Sequence, residues 1–228
     1  MSSTPPNPHE DLTGRARIRD AALEVFAQRG VRGATVQAIA AAAGVSTGLI
    51  RHHFGSKEGL REACDAYAIG ALLEQARRGM EEDAAAPGFA ASMYQAGGAS
   101  VRYLARALVE GSRSASDLFD AGADLTERFL AERWPDRYPA GARSTRDAAA
   151  VMSAMHLGTL VLHTHMSRRM GADPLAPEHV PRIGTAMVGI YTSMADFLTG
   201  EQGGRLAESL PADGTAPTPP PPRENSDE

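Results

Sequence analysis

An all-α fold is predicted from three observations on this chain. It is rich in alanine with only 5% aromatic residues, its apolar residues recur at helical spacing, and no stretch shows the sustained alternation of a strand. With 228 residues there is enough chain for one large domain or two small ones around a sizeable core.

The elements follow from their breakers and caps. Residues 1–13 carry prolines and acids, with neither a basic nor an apolar leader region, so they are expected to be disordered and not a secretory signal. Ile18, Ala22, Val25 and Phe26 then share one face of a first helix, which Gly30 is placed to cap and Gly33 to end. Thr35 suits the N-cap of a second helix over 36–42, closed by Gly44. Ser46 caps a third over 47–53, and Gly55-Ser56 break the chain before a long fourth helix from 57 to about 80. Helices are expected at 89–110, 114–133, 143–170 and 177–199, separated by glycines and prolines such as Gly111, Pro139, Gly141, Gly171 and Pro177. From residue 200 the composition turns to glycine, proline and acid, ending in Pro219–Pro222, which predicts a disordered tail over 200–228. The longest apolar stretch, 148–161, contains His156 and is too short to span a bilayer, so a cytoplasmic protein without a membrane partner is expected. Cys64 is the lone cysteine; it reads as a small apolar residue on a helix, with redox sensing as the alternative.

Net charge is −5, which by itself argues against a nucleic-acid partner. Its distribution argues otherwise. Between Arg15 and Arg61 eight basic residues face three acids, a surplus of five that leaves −10 for the rest of the chain. A basic module on an acidic body suits local binding to DNA, although chance clustering gives the same pattern.

The 35–54 stretch has the parts of a helix-turn-helix: two short helices and a tight glycine-containing turn, with Val45 placed to fill the corner. At about 100° per residue the third helix divides in two. Ser46, Leu49, Ile50, His53 and Phe54 fall on the side that packs inward, while Thr47, Gly48, Arg51 and His52 face outward. Arg51 has the reach and donors for guanine edges, and Thr47 suits a base or a thymine methyl. Gly48 weakens a helix interior by about 1 kcal/mol relative to alanine. Close approach of a duplex explains that weakness; close helix packing is the other explanation. Lys57, the only lysine, lies in the first turn of the fourth helix, where free N–H groups form an anion site. It strengthens that site, or else pairs with Glu58 or Glu62. The Thr35 end of the second helix offers a similar site, with Gln37 as an added donor.

These residues resemble the DNA-binding domain of TetR-type (TetR/AcrR) repressors. The resemblance is carried by Ile18, Ala21-Ala22, Phe26, Gly30, Thr35-Val36, Ile39-Ala40, Ala43-Gly44-Val45-Ser46, Gly48, His53-Phe54, Ser56-Lys57 and Leu60. It covers about a fifth of the chain. One departure is Arg51, where the family often has an aromatic residue, usually tyrosine; a different operator preference is expected. The resemblance implies that Thr35, His53 and Lys57 contact phosphate, that Thr47, Gly48, Arg51 and His52 face bases, and that a homodimer leaves a palindromic operator when a small molecule binds. The expected organisation is a head at 14–61 and a helical effector-binding and dimerisation domain at 62–199.

In that second domain, Leu160, His163, Ile183, Met187, Ile190, Met194 and Phe197 lie on apolar faces broad enough for a bundle shared between subunits, or for a monomeric core. Met93, Tyr94, Tyr103, Phe119, Phe129, Trp134, Met152, Met155 and His156 are candidates for an effector cavity, though each also suits plain core. No cofactor or metal is expected: His156 and His163, seven apart, share a face, His165 lies on another, and no third convergent ligand is evident. Nor is an enzyme expected: no phosphate-binding glycine loop, nucleophile elbow or tuned carboxylate pair is visible. The competing readings are a bundle enzyme, which has no need of the outward Thr47/Arg51 face, and a binding protein that keeps the fold without using DNA.

Overall fold

The computed structural model describes residues 8–81 and 98–209, and within them it is helical with no strand. Helix α1 spans Pro8–Gly33 with a kink at Gly30, whose φ of 70° and ψ of 163° are not helical; α2 spans Val36–Ala43, α3 Thr47–Phe54 and α4 Lys57–Glu81. Helix α5 follows at Ala99–Glu110, α6 at Arg113–Arg133, α7 at Arg143–Val161 and α8 at His163–Met170. A 3-10 turn at Pro177–His179 leads into α9 (Val180–Thr199) and α10 (Glu201–Ser209).

Three boundaries differ from those read off the composition. Helix α1 begins at Pro8, inside the stretch expected to be disordered, and helix α10 occupies the start of the expected tail. The continuous helix expected over 143–170 is broken at Leu162. Beside the break, the Thr159 hydroxyl donates to the His156 carbonyl at 2.7 Å and the His163 ring sits 2.7 Å from the Leu160 carbonyl. Side chains there compete for carbonyls that a continuing helix would use. Residues 89–97 of the expected 89–110 helix, with Met93 and Tyr94, lie outside the described residues.

The core of the N-terminal part is not closed off from the rest. One buried cluster joins Ile18, Leu23 and Phe26 of α1 to Ile39 of α2, Ile50 of α3, Leu60 and Cys64 of α4, Leu104 of α5 and Leu118 of α6. The boundary expected near residue 61 therefore falls inside a helix, α4, that packs in both directions. Cys64 lies inside this cluster, and burial pushes its thiol up to about 12. That environment suits packing and not thiolate chemistry at neutral pH.

A polar network crosses the same junction. Asp65 of α4 accepts from the Tyr103 hydroxyl of α5 and from Arg61, and Arg61 also donates to Ser114 Oγ of α6 at 3.0 Å. Phe26 packs beside Tyr103 with ring centroids 6.0 Å apart. Tyr103→Phe removes one of the two donors to a buried carboxylate while keeping the ring. Urea unfolding of that variant is expected to show a loss of about 1–3 kcal/mol; an unchanged midpoint would mean that the network does not stabilise the junction.

Candidate nucleic-acid interface

The geometry of α2 and α3 is set by their ends. Thr35 Oγ1 accepts from Ala38 N at 3.1 Å, and Ser46 Oγ accepts from Leu49 N at 3.2 Å, so both helices start with a side-chain cap. Gly44 closes α2 at φ 63°, a left-handed turn open to glycine at little strain. The next amide, Val45, donates back to Ala40 at 3.0 Å and turns the chain into α3.

Helix α3 divides as its periodicity predicts. Ile50 is 1% exposed, in contact with the core, and Leu49 and Phe54 are half-buried against it. Thr47, Gly48, Arg51 and His52 are all exposed. Thr35 and Gln37 are exposed beside them, and Lys57 is half-buried. Of the residues singled out, Gln37, Thr47, Arg51 and Lys57 line one cleft of about 360 Å³, together with Ser56, while Thr35, Gly48, His52 and His53 lie outside its lining. The N-terminal ends of α2 and α4 both open toward it, which adds backbone N–H groups to the cationic side chains. His53 is placed differently from its outward neighbours. It is half-buried, its ring edge-on to Phe54 at 6.1 Å, and a Cβ on Gly14 would lie 3.5 Å from its Nε2.

Two structural roles escape a reading of the sequence. Among the described residues Lys57 forms no ion pair with Glu58 or Glu62; its ammonium donates to the Ala34 carbonyl at 2.6 Å. That bond ties the start of α4 to the turn that precedes Thr35. Gly59 is the second. A Cβ there would stand 2.3 Å from the Phe54 carbonyl oxygen, so glycine lets α4 start directly against the end of α3. Arg15 also joins the interface region, with its guanidinium 5.3 Å from the centre of the Phe54 ring.

Gly48 is the opposite case. A Cβ at Gly48 would meet nothing closer than Ser46 Oγ at 3.6 Å, ordinary van der Waals contact. The protein's own packing does not require glycine there. In urea unfolding followed by circular dichroism, Gly48→Ala should leave stability unchanged or raise it by up to about 1 kcal/mol. Gly59→Ala should lose about 1–3 kcal/mol through overpacking. The reverse order would remove the packing argument for both glycines.

The sites expected in the C-terminal part are less united. Tyr103 lines a cleft of about 620 Å³, but that cleft lies between the α1–α4 head and the α5–α6 corner. Phe129 and Trp134 meet edge-on at 5.7 Å at the end of α6, with Trp134 47% exposed. Met155 on α7 is exposed, Met152 and Phe119 are half-buried, and His156 Nε2 lies 3.1 Å from the Tyr191 hydroxyl of α9. Of the expected interface residues, Ile190, Met194 and Phe197 are exposed, Leu160, His163 and Met187 half-buried, and Ile183 buried within the chain. His165 is exposed. No helix among the described residues is long and apolar enough to cross a membrane.

Residues 18–64 match the profile of the family described as bacterial regulatory proteins, tetR family. The HTH-type transcriptional regulatory protein RaaS of Mycobacterium tuberculosis is 37% identical over 123 residues, 54% of this chain and 58% of that protein. The HTH-type transcriptional repressor KstR2 of Rhodococcus jostii is 46% identical over 61 residues, 25% of this chain and 29% of its own. The chain thus spans less than two thirds of either relative. The solved fatty acid degradation regulator FadR of Bacillus halodurans shares the fold, with a TM-score of 0.51 over 83% of this chain and 97% of that one at 18% identity.

Proposed function

We propose that this chain, whose residues 18–64 match the profile of the tetR family of bacterial regulatory proteins, is a homodimeric repressor, released from a palindromic operator when a small, largely apolar molecule binds its C-terminal helices. The observation that carries the reading is the division of α3: Ile50 is locked in the core while Thr47, Gly48, Arg51 and His52 project together from the surface. In this reading those four face bases, and Thr35, Gln37, His53 and Lys57 hold the backbone phosphates. Lys57 keeps donors for phosphate beyond the one given to Ala34, since an ammonium carries three.

Arg51 has the sharpest expected effect. It is exposed and has a planar set of donors suited to guanine O6 and N7. In fluorescence anisotropy with DNA from the region upstream of its own gene, Arg51→Ala should lose about 1–3 kcal/mol per half-site in preference over random duplex. An equal loss on both duplexes would reduce Arg51 to a phosphate contact, and no salt-dependent binding of wild type to either would remove the DNA reading.

Dimerisation is supported by the apolar surface left open on α7 and α9. Val151 and Met155 of α7, with Ile190, Met194, Phe197 and Leu198 of α9, are between 46% and 61% exposed. Apolar faces of that breadth on neighbouring helices call for a cover, and a second copy offers the same face by two-fold symmetry. Two heads would then read half-sites about one helical turn apart. Met194→Glu combined with Phe197→Glu should convert the protein to a monomer in sedimentation velocity, with the helical content intact. A variant that still sediments as a dimer would place the contact elsewhere.

The effector reading rests on the α6–α7 region, where Phe119, Phe129, Trp134, Met152, Met155 and His156 lie; Met93 and Tyr94, also expected to meet the effector, are outside the described residues. A mostly apolar wall with few polar groups suits a greasy ligand, and methionine adapts to varied shapes. DNA would select one spacing of the heads and the effector another, so each would weaken binding of the other.

A further inference from the structure

The cleft of about 620 Å³ between head and body is not part of the proposed DNA face or of the proposed apolar effector region. Its volume falls within the range of small-molecule sites, about 300–1,000 Å³. Of its apolar lining residues, Phe26, Tyr103 and Ala107 are buried and Val31 of α1 is half-buried. Its charge is one-sided. Five arginines line it against two glutamates, Glu58 and Glu110, a surplus of three positive charges in one concavity.

Two of the five arginines are already engaged. Arg61 is held by Glu58 at 2.5 Å and by Asp65, and Arg106 by Glu110 at 2.7 Å. The remaining three, Arg29, Arg32 and Arg113, are exposed, and no ion pair within the described residues engages them. Arg29 and Arg32 come from the last turns of α1, and Arg113 is the first residue of α6. Guanidiniums without an ion pair along one groove leave a fork of donors for anionic oxygens.

We propose that this cleft binds a small organic polyanion, a phosphate ester or polycarboxylate, with Arg29 and Arg32 of the head and Arg113 of the body holding its charged groups from opposite walls. The apolar floor takes the uncharged part of the molecule. Because the two walls belong to different parts of the chain, the bound anion clamps the head to the body in the arrangement seen here.

The test uses the full-length protein with two probes, inorganic pyrophosphate for the phosphate class and citrate for the carboxylate class. Isothermal titration at about 0.15 M ionic strength keeps long-range attraction screened. Saturable binding of one probe per chain is expected, with a Kd below about 1 mM; whichever probe binds identifies the class. Arg29→Glu and Arg113→Glu should each weaken it about tenfold or more, the effect of losing a charge-assisted hydrogen bond. Arg128→Glu makes the same charge change about 22 Å along α6 from Arg113 and should leave binding unchanged. Circular dichroism checks that each variant folds, and Arg113→Ala serves if the charge reversal unfolds the protein. No binding of either probe, or an equal loss in Arg128→Glu, overturns the proposal. The assay contains no DNA, so its failure leaves the operator reading standing.

Discussion

The buried Asp65 carboxylate is the constraint on which the arrangement of head and body depends. A carboxylate taken out of water destabilises a fold unless donors surround it. Here those donors come from two different helices: Tyr103 from α5 and Arg61 from α4 itself, the latter reaching on to Ser114 of α6. The three helices are thereby held in one relative position. Burial, and then the bond to Asp65, push the Tyr103 hydroxyl well above its usual range. The hydrogen bond to Glu58 holds the Arg61 guanidinium charged, and Glu58 in turn is held below the usual carboxylate range by Arg61. Tyr103 and Arg61, the two donors to Asp65, therefore keep their protons across physiological pH.

What was legible in the sequence was local. The caps at Thr35 and Ser46, the left-handed turn at Gly44 and the inward set of Leu49, Ile50 and Phe54 each depend on neighbours within four residues. Periodicity and cap chemistry therefore reach them directly. The contacts that set the head's geometry are of another kind. Lys57 bonds a carbonyl 23 residues away, Tyr103 a carboxylate 38 residues away, and Arg61 a hydroxyl 53 residues away. No spacing rule predicts such partners. A reader of the sequence sees that Lys57 is a cation in a first turn, and nothing in that turn names Ala34. Gly59 likewise reads only as a glycine in a first turn, and the Phe54 carbonyl that its missing Cβ makes room for is set by how α4 meets α3.

The C-terminal helices show the limit more sharply. Ile183 and Ile190 lie seven residues apart on α9 and so on one face, yet the first is buried and the second 56% exposed. The buried residues of α9 are Val180, Ile183 and Gly184, all in its first turns, and the helix then runs on with its apolar side open. A stripe at helical spacing records that a face is apolar and is silent on what covers it. The same holds for Tyr103 and Trp134, both read as cavity aromatics. One became the centre of the junction and the other lies 47% exposed beside Phe129.

Helix α4 is where these observations meet. Its first residue, Lys57, holds the Ala34 carbonyl at the turn that precedes the Thr35 cap, and its second and third turns carry Arg61 and Asp65 into the junction. The two contacts are eight residues apart, about 12 Å along one rigid helix. On the two-state reading of release, an effector need not reach the recognition helix. A change in packing that displaces Tyr103 or Ser114 shifts the partners of Asp65 and Arg61, and α4 carries that shift to Lys57 and so to the end of α2. Close packing around Leu60 and Cys64, both fully buried, leaves α4 little room to absorb the displacement by bending. On that reading the coupling lies within the first nine residues of α4, from Lys57 at the turn before Thr35 to Asp65 in the junction.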